Sequence, residues 1–122
     1  MKPQARSWIV AVVSAVLLAL LLPTGCTSAP PVDQNAVIID VRTPAEYQAG
    51  HLEGARNIDI QGPSFASEIA ALPKDGAYVL YCRSGVRAGN AVGLMKQAGF
   101  TNVTNLGGMD AAAKATGRAI VQ

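Results

Sequence analysis

A run of strand-forming residues, Tyr78-Val79-Leu80-Tyr81, ends in Cys82 and passes through a short loop into apolar residues at helical spacing: Val86, Ala88, Ala91, Val92, Leu94 and Met95. A strand apolar on both faces belongs inside a parallel sheet. A helix that follows it directly starts at the carboxyl edge of that sheet, where open α/β folds place their sites. The backbone N–H groups of Arg83 to Arg87 can curl around the Cys82 sulfur at the positive end of the helix. Two arginines add positive potential, so the thiol is expected to titrate low and favour thiolate.

The rest of the chain repeats the strand and helix alternation. Ala36 to Val41 is a nearly continuous apolar run and reads as the first strand. Thr43-Pro44-Ala45-Glu46 then carries the marks of a helix start, with Thr43 as cap, proline at the first position and Glu46 closing a capping box. That helix should stop at Gly50. Arg56 to Ile60 suits a brief strand, Ser64 to Leu72 a helix, and Ala77 to Tyr81 the strand before the cysteine loop. The following helix ends near Gly99, Thr101 to Leu106 forms another strand, and Gly107-Gly108 introduces a last helix over Met109 to Thr116. Strands alternating with helices through short connections imply an α/β fold, a small parallel sheet with helices on both faces. Strand order is left open by this pattern.

The N-terminus differs in kind. Lys2 and Arg6 precede the apolar run Trp8 to Leu22, the layout of an export signal. The run is shorter than the roughly 20 residues of a spanning helix, although an uncleaved anchor that includes Ser7 and Pro23 is an alternative. Residues 1–25 are therefore read as a signal, 26–35 as a linker and 36–122 as the folded domain. Leu21-Leu22-Pro23-Thr24-Gly25-Cys26 resembles the lipobox of bacterial lipoprotein signals, with Pro23 where an aliphatic residue is usual. Cys26 is thus a lipidation candidate, and acyl chains on it would attach the domain to a membrane. Ordinary cleavage near Ser28-Ala29 is the competing reading and would leave Pro30 just after the cut. An exported protein of the bacterial periplasm or cell envelope is the expectation in either case. The full chain has 10 Lys+Arg against 8 Asp+Glu. Its excess lies in Lys2 and Arg6, so the mature domain is neutral and carries no basic stripe for nucleic acid.

Three segments resemble the rhodanese family of sulfurtransferases: Asp40-Val41-Arg42-Thr43-Pro44-Ala45-Glu46-Tyr47 with Gly50-His51-Leu52-Glu53-Gly54-Ala55-Arg56-Asn57-Ile58, the loop Cys82-Arg83-Ser84-Gly85-Val86-Arg87, and Gly107-Gly108-Met109. The resemblance covers nearly all of Ala36 to Gly117. Size, export signal and abbreviated tail are similar to the small periplasmic rhodaneses of the phage-shock type. It implies a three-layer fold with four or five strands, the uncertainty arising because only the linker precedes the Asp40 strand. It also implies double displacement through a covalent intermediate. Cys82 takes the outer sulfur of thiosulfate or a related donor and becomes a persulfide, and cyanide or a thiol then removes that sulfur. Arg83, Ser84, Gly85, Val86 and Arg87 would form the substrate cradle, its N–H groups stabilising the terminal sulfur and its arginines holding the donor's sulfonate. No metal or organic cofactor is implied.

The loop spacing, Cys-x4-Arg, is one residue shorter than the Cys-x5-Arg of related phosphatases and arsenate reductases, and suits a single sulfur better than a tetrahedral oxyanion. A persulfide carrier or anion-binding module without rapid turnover is the alternative from another class. Arg87 could instead turn back onto a carboxylate. Asp40 and Arg42 are expected to brace the loop, His51 to be a hydrogen-bonded structural residue, and Gly107-Gly108 to allow a close approach or a positive φ.

Overall fold

A computed structural model describes residues 31–122 of the chain. The residues read as an export signal, Cys26 and the first half of the expected linker lie outside the described residues. The elements run β1 (Val37–Asp40), α1 (Pro44–Ala49), β2 (His51–Leu52), β3 (Arg56–Asn57), α2 (Phe65–Ala70), β4 (Ala77–Cys82), α3 (Val86–Gln97), β5 (Asn102–Gly108), α4 (Met109–Thr116) and β6 (Ile120–Val121). Strands β3, β1, β4 and β5 form one parallel sheet in that order, and β2 pairs antiparallel with β6 in a separate two-stranded ribbon.

Alternation along the central strands sends side chains to two cores. Ile39, Val41, Leu80 and Cys82 pack beneath α2 and α3 with Phe65, Ile69, Ala88, Ala91 and Met95. Ile38, Val79 and Tyr81 pack on the other face with Leu52, Ala55 and Ala112, and with Tyr47 of α1 at its margin. The result is the expected three-layer α/β arrangement, with four strands in the main sheet.

The sequence reading and the structure part at the edges. Residues 56–60 form a two-residue strand, yet Ile58 and Ile60 still donate to Asp40 and Val41 at 2.9 and 3.1 Å, so the pairing outlasts the regular geometry. The ribbon of β2 and β6 was not expected, since two-residue strands carry no readable periodicity. Strand β5 runs on to Gly108 because Gly107 takes φ 86° and brings Gly108 opposite Cys82, past an irregularity in register between Leu80 and Cys82. The end of the expected tether is folded against the domain: Val32 packs on the second core, and Asp33 to Ala36 close a turn through Ala36 N–H to Asp33 O and Asn35 N–H to Asp33 Oδ1. The predicted capping box of α1 is present, with Thr43 Oγ1 accepting from Glu46 N–H and the Glu46 carboxylate accepting from Thr43 N–H.

Candidate active site

Strand β4 delivers Cys82 at its carboxyl end, and the chain turns at once through Arg83 and Ser84 to Gly85, whose φ of 97° starts α3. A side chain at Gly85 would be strained by that conformation and would also meet the Gly107 Cα at 3.0 Å. The turn folds the loop over the sulfur, and Gly85 N–H donates to Cys82 Sγ at 2.9 Å. Burial pushes the thiol pKa up, and the backbone N–H groups of Ala88, Gly85, Ser84 and Arg87 pull it down. The net shift is below the ordinary value of 9.0. The direction is the one expected, and the amides rather than the arginine side chains lead it.

The two loop arginines have parted company. Arg87, one of the residues expected to hold the donor, is turned onto Glu46, with Nη1 and Nη2 each 2.8 Å from a carboxylate oxygen. The carboxylate alternative considered from the sequence describes its position. Arg83 is exposed and lines a cleft of about 550 Å³ together with Arg42, Gly108, Met109, Asp110 and Ala111. Ser84 and Val86 are exposed on the outer side of the loop, Val86 to 69%. Cys82 itself is fully buried beneath them.

Asp40 and Arg42 form the buried corner beside the loop. Arg42 Nε and Nη2 donate to the Asp40 carboxylate, the shortest contact being 2.6 Å, and Nη2 also reaches the Gly50 carbonyl at 2.6 Å. The Tyr81 hydroxyl donates to Asp40 Oδ2 at 2.8 Å and accepts from Leu52 N–H at 3.0 Å. Tyr81 is raised well above the ordinary phenol, foremost by burial, with the Leu52 N–H opposing and Asp40 adding to the rise. The corner therefore fixes the residue immediately before Cys82. His51 stacks on Tyr47 with ring centroids 3.7 Å apart and places Nδ1 2.8 Å from the Tyr47 carbonyl.

Gly107 and Gly108 serve both purposes foreseen for them. Gly107 holds a positive φ, and a Cβ on Gly108 would stand 2.6 Å from the Arg83 carbonyl oxygen. Two contributors were missed from the sequence. Glu46 was read only as a helix-capping residue. Asn105 donates from Nδ2 to the Gly85 carbonyl at 2.9 Å and accepts from Gly107 N–H at 2.8 Å, tying the loop to the glycine pair. An asparagine two residues before a glycine is a turn signal that could have found it. Among the described residues no three His, Cys, Asp or Glu side chains gather as a metal site.

Residues 28–115 match the family model of the rhodanese-like domain. The chain is 41% identical over 82 residues to the probable adenylyltransferase/sulfurtransferase MoeZ of Mycobacterium tuberculosis, an alignment that covers 66% of this chain but only 21% of MoeZ. It is 35% identical over 71 residues to the thiosulfate sulfurtransferase PspE of Escherichia coli K12, covering 58% of this chain and 68% of PspE. A solved structure described as a rhodanese with anions from E. coli superposes with a TM-score of 0.59 at 31% identity, over 71% of this chain and 98% of that one.

Proposed function

The chain belongs to the rhodanese-like family, and from that premise we propose that it is a thiosulfate:acceptor sulfurtransferase working through a Cys82 persulfide. The observation that carries this reading is the cradle itself: one sulfur, ringed by the N–H groups of Ser84, Gly85, Arg87 and Ala88, with a depressed pKa. Such a ring stabilises negative charge at one point.

Cys82 thiolate attacks the outer sulfur of thiosulfate, a new S–S bond forms, and the donor's own S–S bond breaks with its electron pair leaving on sulfite. The added sulfur stands one atom beyond the buried Sγ, so the acceptor needs to reach only that outer atom. Arg83, exposed at the mouth of the cleft, draws in the anionic donor. Arg87, spent on Glu46, holds the start of α3 in place. Cyanide or a thiol then takes the outer sulfur and regenerates Cys82. Full burial of Cys82 beneath a tight loop also favours sulfur over phosphate, since the outer atom of a sulfane donor is slim and a phosphoryl group is not.

The neighbouring sequence supports export and attachment through lipidated Cys26 as the setting. Formation of thiocyanate from thiosulfate and cyanide tests the reading: the full chain should turn over, and Cys82→Ser should not. Equal turnover by the Cys82→Ser variant would refute it.

A further inference from the structure

We infer that the cleft beside the catalytic loop receives, as sulfur acceptor, a small thiol with an α-amino-acid head group, its carboxylate held by Arg42 and Arg83 and its ammonium by Asp110. The inference rests on the sulfurtransferase reading and names its acceptor class.

Arg42 is the first ground. Its side chain is only 7% exposed, and Nε and Nη2 are taken up by Asp40 and the Gly50 carbonyl. Nη1 donates to no described residue. Yet no buried side-chain nitrogen or oxygen among the described residues lacks a partner, so Nη1 reaches the surface. Arg42 is one of the residues that line the cleft. A guanidinium clamped on one edge and open on the other offers its remaining N–H groups to an anion with little ordering cost.

Arg83 enters the same cleft from the loop, and Asp110 from the first turn of α4. Asp110 is exposed and has no hydrogen-bond or ion-pair partner among the described residues. As a first-turn acid it stabilises the helix dipole modestly, which leaves its carboxylate oxygens open to a cation. Met109 and Ala111 supply apolar wall between the charges.

The cleft, about 550 Å³, has room for an acceptor larger than cyanide. The two guanidinium groups can serve both half-reactions in turn, holding the donor's sulfonate until sulfite departs and then the acceptor's carboxylate. In the second step the acceptor thiolate attacks the outer sulfur, and the bond from that sulfur to Cys82 Sγ breaks with its electron pair on Sγ. One S–S bond replaces another, and no oxidant or reductant is consumed.

The test loads the full chain with thiosulfate and measures persulfide discharge by cysteine, by cysteamine, which lacks the carboxylate, and by 3-mercaptopropionate, which lacks the ammonium. Rates are compared at equal thiolate concentration. Cysteine should exceed each of the others about tenfold, the effect of losing one charge-assisted contact. Asp110→Asn should collapse the advantage over 3-mercaptopropionate, and Arg83→Gln the advantage over cysteamine. Equal rates for the three thiols, or a uniform fall in either variant, would overturn the assignment. Binding of S-methylcysteine to the unloaded chain, followed by NMR shifts at Arg83 and Asp110, separates this inference from the reading it rests on. Shifts without any persulfide formation sink the sulfurtransferase reading and leave the cleft's ligand class standing, whereas no shifts overturn the cleft.

Discussion

Both carboxylate oxygens of Glu46 accept from the Arg87 guanidinium, each at 2.8 Å, which ties the first turn of α1 to the first turn of α3. Glu46 is held down to about 2, foremost by that contact and also by Thr43, with burial opposing. A carboxylate whose folded pKa lies below its ordinary value of 4.5 stabilises the fold above that value, and the contribution is lost as pH falls toward about 2. The side chains are 23% and 29% exposed, so solvent screens part of the interaction. Glu46→Gln should cost about 1 kcal/mol at neutral pH, and its melting temperature should converge with that of the parent chain between pH 4.5 and 2.

Arg87→Ala should lower sulfur transfer from thiosulfate and from an uncharged persulfide donor by the same factor, because its guanidinium is taken up by Glu46. A KM effect confined to thiosulfate would return Arg87 to the role of anion contact.

Arg83→Ala should behave in the opposite way. Its guanidinium is exposed at the cleft, so KM for thiosulfate should rise about tenfold with a much smaller change for an uncharged donor. Raised ionic strength should mimic the substitution in the parent chain.

Much of this was legible in the residues. The Thr43 capping box, the strand into Cys82 and the helix over Met109 to Thr116 each rest on local chemistry, and local chemistry is what a sequence displays. Arg87 illustrates the limit. Whether it faced the donor or a carboxylate depended on where Glu46, far away in the chain, would come to lie. Nη1 of Arg42 was equally hidden, since a residue expected only to brace the loop has its open edge decided by which neighbours occupy the other one. The β2 and β6 ribbon escaped notice because two residues have no period.

Gly108→Ala should displace the loop without unfolding the domain. The new Cβ would stand 2.6 Å from the Arg83 carbonyl, and backbone is the atom that must yield. The N–H ring around Cys82 should then loosen, and the alkylation-rate profile of the thiol should shift to higher pH. An unchanged profile would show that the glycine pair does not set the cradle.

Tyr81→Phe should destabilise the domain by about 1–3 kcal/mol, because it leaves the Leu52 N–H and one oxygen of buried Asp40 without the hydroxyl they share. Denaturant unfolding measures this directly, and a loss of less than about 0.5 kcal/mol would mean that the corner beside the loop repacks freely.

The central claim is that one sulfur atom is carried on Cys82. Incubating the full chain with thiosulfate, removing excess donor and recording the intact mass tests it most directly, with peptide mapping to locate the change. The account predicts the mass of one added sulfur, located on Cys82, absent from Cys82→Ser and discharged by cyanide. An unchanged mass, or an added sulfur found anywhere other than Cys82, would contradict it.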